Sequence, residues 1–164
     1  MSARRCALAL LGATVPCVAA ARVDAQARLE ARGDVLAGRS TSWHAGAGVA
    51  WAVGDYVRLG AVAGGGVTRG LPREVADDGA APSGRAELVV RFVVDPSEGT
   101  GLRWYGGAGA GALFVRGTRG QARVHVVAGV EGRPRGGVRL GLEAGVGGGA
   151  RVGVVLRRAD PPAR

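Results

Sequence analysis

The chain is poor in cysteine, histidine and aromatic residues. Its 164 residues include two Cys and two His, and only 4% are aromatic. Both cysteines, Cys6 and Cys17, fall within the first 25 positions. Residues 26–164 therefore offer no disulfide and no thiolate ligand, and two histidines alone show no metal-ligand spacing. No metal and no cofactor is expected, and the fold must close without covalent staples. After residue 26 no apolar run reaches the 18 residues of a membrane helix, and there is little sustained helical periodicity. The 31 glycines, spread throughout, also oppose helix interiors. Two glycine runs, Gly64-Gly65-Gly66 and Gly147-Gly148-Gly149, lack the strand-to-helix context and the lysine of a phosphate-binding loop. They read as strand curvature and as a hairpin loop.

The N-terminus has its own composition. Arg4 and Arg5 precede an apolar stretch from Cys6 to Ala21, and small residues follow. This predicts a cleaved secretory signal peptide over 1–25, with the cut after Ala25, or alternatively after Ala21, and a single domain over 26–164. A lipidated Cys17 fits less well, because Pro16 stands where a small residue is expected. The formal charge of +9 falls to about +7 when Arg4, Arg5, Arg22 and Asp24 leave. Such a balance raises nucleic acid as a partner, but the arginines lie at strand spacing rather than in a patch, and the chain is addressed for secretion. No nucleic-acid partner is expected.

What remains is a period of two. Over 42–53, Trp43, Ala45, Ala47, Val49, Trp51 and Val53 alternate with Ser42, His44, Gly46, Gly48, Ala50 and Ala52. Likewise Arg85, Glu87 and Arg91 alternate with Ala86, Leu88, Val90, Phe92 and Val94, and Arg123, His125 and Glu131 with Val124, Val126 and Val130. Eight strands are predicted at about 26–36, 42–53, 56–69, 85–95, 102–116, 121–132, 137–146 and 150–158. Gly54-Asp55 reads as a tight turn, Leu71–Gly84 as a long polar loop and Ser97–Gly101 as a short connection. The expected fold is all-β, an eight-stranded antiparallel up-and-down barrel, with Leu71–Gly84 outermost and both termini at the opposite end.

Alternation alone does not separate a transmembrane barrel from a soluble lipocalin-like binding barrel of reverse polarity. Three features favour the transmembrane arrangement. Trp43, Trp51, Phe92, Trp104 and Phe114 all share the apolar face. They lie toward strand ends, as interface girdles do, and the eight residues from Trp43 to Trp51 span about 26 Å at roughly 3.3 Å per residue. The polar face carries many glycines, which relieve crowding in a lumen and would only weaken strands facing solvent.

In leader, strand count, alternation and loop asymmetry, residues 26–158 resemble the small eight-stranded bacterial outer-membrane barrels, the group that contains the OmpA transmembrane domain and OmpX. The resemblance implies the cell outer membrane, contact with its lipid, and insertion by the outer-membrane assembly machinery. Members of that group serve as anchors, adhesins, small channels or lipid-modifying enzymes, so it does not choose a role. The group ends its last strand on an aromatic residue, whereas here Ala159-Asp160-Pro161-Pro162-Ala163-Arg164 follows.

The expected lumen network is Arg28, Glu30, Arg32, Arg58, Arg85, Glu87, Arg91, Arg103, Arg123, Glu131, Arg139 and Glu143, with Asp34, Arg151 and Arg157 on the same face. Paired, these charges fill a narrow structural barrel. Left in surplus, the arginines would line a porin-like pore or hold a small anion. Ser42 and His44, with Glu87 or Glu143, resemble the parts of a lipid A deacylase in reversed order, and they lie on the polar face, away from lipid. No catalytic residue is assigned.

Overall fold

The computed structural model describes residues 27–94 and 101–158. The expected signal peptide and the residues after Arg158 lie outside them. The strands are β1 Arg28–Ala37, β2 Thr41–Val53, β3 Val57–Arg69, β4 Ala80–Val94, β5 Arg103–Val115, β6 Gln121–Glu131, β7 Val138–Val146 and β8 Ala150–Arg158. Each pairs antiparallel with its sequence neighbours, and β1 pairs with β8 to close the barrel.

The strands fall within two residues of the expected bounds except at the start of β4, which begins at Ala80 rather than Arg85. Pro82 and Ser83 read as loop residues, yet both are in the strand. Pro82 faces outward opposite Val67, and its carbonyl accepts from the Arg116 amide at 3.0 Å. A proline so near a strand's start forfeits little of the ladder. The expected loop therefore ends at Gly79, and it is not simply polar. The Leu71 amide donates to the Gly79 carbonyl at 3.1 Å, the Val75 amide donates to Pro72 O at 2.9 Å, and Leu71 and Ala76 pack on Ala81, Leu113 and Val115 inside the mouth. At the opposite end, 132–137 separates β6 from β7; the expected short connection Ser97–Gly101 lies, but for Gly101, outside the described residues. The contrast between a short-turn end and a long-loop end is therefore weaker than expected. Below, the end bearing 70–79 is the loop end, and the other is the terminal end.

The barrel reverses the polarity of an ordinary soluble protein. Glu30, Arg91, Glu131 and Glu143 are only 1–2% exposed, whereas Leu88 is 67% and Trp43 58% exposed. Along β8, Arg151, Gly153, Val155 and Arg157 are buried while Val152, Val154 and Leu156 face out. The apolar interior of a lipocalin-like barrel is not what forms. Trp43 and Phe114 project outward near the loop end; Phe92 and Trp104, with the half-buried Trp51, lie toward the terminal end.

Between these rings the outer wall is low. The register sets Ala31, Ala47, Ala63, Ala86, Ala112 and Ala122 side by side across β1 to β6, each opposite the next. Gly33, Ala45, Gly65 and Gly84 form the adjoining row.

Candidate functional site

The chain contains no lysine, so all 22 of its basic residues are arginines. Most of those facing the lumen meet carboxylates, on neighbouring strands or across the barrel. A planar guanidinium offers several fixed donors and can serve two or three carboxylates at once, which suits a cylinder too narrow for separate pairs.

Toward the terminal end, Arg91 of β4 donates through both terminal nitrogens to Glu30 of β1, each at 3.2 Å, and Arg157 Nε of β8 donates to the same carboxylate at 2.8 Å. Glu143 of β7 accepts from Arg32 of β1, from Arg151 of β8 at 2.5 Å and from the Tyr105 hydroxyl at 3.0 Å, with Arg91 Nε at 3.5 Å. Arg157 also pairs with Glu131 of β6, which Arg58 of β3 reaches at 3.4 Å. Nearer the loop end, Arg85 grips Asp34 by two hydrogen bonds, one of them 2.6 Å. Arg151 holds both oxygens of Glu87, at 2.8 and 2.9 Å, and Arg32 approaches that carboxylate at 3.4 Å. These bonds tie β1 to β4, β7 and β8 across the lumen.

Close packing admits them. A Cβ at Gly60 would lie 2.8 Å from Arg91 Nη1, and one at Gly107 would lie 3.2 Å from Arg91 Cγ. A side chain at either position would crowd Arg91 between β3 and β5, and at Gly107 a Cβ would also lie 2.3 Å from the Val90 carbonyl oxygen.

Of the residues expected in the lumen, Glu30, Arg32, Arg85, Glu87, Arg91, Glu131 and Glu143 are joined in this network, and Arg58 reaches its edge. Arg28 and Arg139 line a cavity of about 10 Å³ at the terminal end with Arg58, Glu131 and Arg157. Arg103 is half-buried on β5, and Arg123 stands toward the loop end, donating to Gln121 at 2.7 Å.

Tyr105 was not among the expected residues. It is 4% exposed, and the Arg157 guanidinium lies 4.9 Å from its ring centre. Its odd number, shared with Arg103 and Gly107, was the available signal. Ser83 was missed with the start of β4.

Ser42 and His44 do not come together as a catalytic pair. Ser42 shares a 2.8 Å hydrogen bond with Thr68, and His44 Nε2 shares one of 3.0 Å with Ser83. Ser42 and His44 are 1% and 4% exposed, inside the wall and away from the outer surface. No group of three or more potential metal ligands occurs among the described residues.

No protein-family model matches the chain, and comparison with curated proteins finds no match. Solved structures do match. The N-terminal β-barrel domain of Pseudomonas aeruginosa OprF is similar with a TM-score of 0.56 at 16% identity, covering 80% of this chain and 96% of that one. A de novo designed transmembrane β-barrel is similar with a TM-score of 0.54 at 14% identity, covering 80% and 92%. At such identities the likeness is one of fold.

Proposed function

We propose that the protein is a structural barrel of the bacterial outer membrane whose lumen is sealed by ion pairs, not an open pore. The observation that carries this reading is the polarity of the wall. A closed barrel satisfies every strand edge internally, which the hydrocarbon region demands, and an apolar outer face flanked by aromatic residues meets lipid favourably. The N-terminal leader supplies the export route, and the outer-membrane assembly machinery is the corresponding partner for insertion. The fold shared with the OprF barrel domain supports the same placement.

A porin-like role asks for a continuous aqueous path. Here Arg91, Glu30, Glu143 and Val155 are at most 2% exposed and line neither the cavity of about 10 Å³ at the terminal end nor the one of about 30 Å³ toward the loop end. Eight strands leave an interior that side chains fill.

The test compares boiled and unboiled protein, refolded with and without detergent, on a denaturing gel. A heat-dependent mobility shift that requires detergent is expected. Detergent-independent folding into a soluble species would overturn the membrane placement. In planar bilayers the inserted protein is expected to give no discrete conductance steps, and regular unitary steps would replace the sealed barrel by a pore.

A further inference from the structure

We propose that the lumen contains a binding site for one phosphate-class oxoanion just inside the loop end, formed by Arg123, His125, Arg151 and Arg85. A cavity of about 30 Å³ lies there; these four residues and Glu87 form its polar side, and its other side is apolar, with Leu36, Leu113, Val127 and Val146 on it. That volume is roughly two or three water-sized spheres, enough for one small oxoanion and too little for a sugar.

The wall is cationic at this point. Glu87 is the carboxylate on it, and three arginines engage it: Arg151 at 2.8 Å, Arg32 at 3.4 Å and Arg85 at 3.7 Å. Asp34 and Glu143 behind the cavity are held by Arg85, Arg32 and Arg151. Arg123 adds a positive charge to this group, and the hydrogen bond it makes is to the neutral amide of Gln121.

Two polar nitrogens there are unsatisfied, the Arg123 one a donor and the His125 one a donor in the tautomer that carries its proton on Nε2. Arg123 Nη1 is buried without a hydrogen-bond partner, and so is Nε2 of His125, a side chain only 7% exposed. Buried donors of this kind are normally paired, and an oxoanion supplies acceptors to both. A charged acceptor strengthens those bonds, while Arg85 and Arg151, whose terminal nitrogens are held by Asp34, Glu87 and Glu143, contribute positive charge beside it.

The local backbone holds Arg123 in place. The β6–β7 pairing stops at Val126 with Val146, while β6 continues to Gln121. Beyond it the Gly147–Gly149 turn covers the lumen side of β6. A Cβ at Gly148, where φ is +73°, would lie 2.9 Å from Arg123 Cδ, Nε and Nη1. Only glycine lets the turn lie flat on that guanidinium.

The phosphate has two possible sources, a free anion or a phosphate carried on a lipid headgroup sugar. The test titrates inorganic phosphate into the detergent-folded protein by calorimetry at constant ionic strength. The same titration is run on Arg123→Gln and on Arg119→Gln, a charge loss in the exposed β5–β6 turn. One saturable site is expected, at least tenfold weaker in Arg123→Gln and unchanged in Arg119→Gln, with the His125 ring nitrogens shifting in NMR spectra as phosphate binds. Arg123→Lys, which keeps the charge but not the fork, is expected to weaken binding to an intermediate degree and replaces the Gln variant should that one not refold. Glucose 1-phosphate competing with inorganic phosphate assigns the site to sugar-borne phosphates; failure to compete assigns it to the free anion. Absence of saturable binding, or equal loss in Arg119→Gln and Arg123→Gln, would overturn the site.

Discussion

Replacing Glu143 with alanine is expected to lower the unfolding free energy of the barrel by about 3–5 kcal/mol, the scale for removing one member of a buried charge network. Glu143 is 2% exposed and accepts from Arg32, Arg151 and Tyr105, with Arg91 close by. Truncation leaves those guanidinium groups facing one another without the carboxylate between them. The measurement is urea unfolding in lipid vesicles, following the loss of β-sheet signal. Adding Arg32→Met to Glu143→Leu is expected to recover only part of the loss, because Arg151 and Arg91 still lack the carboxylate. A loss below about 1 kcal/mol, the range of exposed ion pairs, would mean that water reaches the lumen and screens the network.

Placing arginine at Leu88 tests the opposite face. Leu88 lies midway along β4 and is 67% exposed on the outer wall. If that wall faces hydrocarbon, Leu88→Arg is expected to destabilise the vesicle-inserted barrel by about 2–4 kcal/mol. On a solvent-facing surface the same change stays within about ±0.5 kcal/mol. The two variants read the two faces separately: Glu143→Ala responds to the packing of the lumen, and Leu88→Arg to what surrounds the barrel.

The strands were legible because alternation with a period of two survives even where side chains are small. Trp43, Ala45, Ala47 and Val49 against Ser42, His44, Gly46 and Gly48 set the faces of β2 without any tertiary information. The inward placement of Arg91 or Glu143 followed from parity in the same way. Pairing did not. That Arg91 meets Glu30, 61 positions away, while Arg85 meets Asp34 depends on strand tilt and register, which a single strand's pattern does not carry. The row of six alanines is likewise invisible until the strands are laid side by side. Tyr105 escaped because the expected network was drawn from charged residues alone, and a neutral phenol on the polar face carries no sign of its partners. The early start of β4 escaped because proline is a strong loop signal whose position at a strand's edge only the fold reveals.

The seam between β1 and β8 bears on how the barrel enters a membrane. Glu30, Arg32 and Asp34 all project from the first strand, and their partners are on β4, β7 and β8, up to 127 residues later in the chain. A first hairpin entering hydrocarbon alone would carry these charges uncompensated, which is costly at the bilayer centre. Its exposed strand edges would add unpaired amides and carbonyls to that cost. Both penalties vanish at the same event, when the last strand docks and Arg157 reaches Glu30. Insertion is therefore tied to closure, and the earliest segment to be synthesised cannot settle in the bilayer until the latest has arrived.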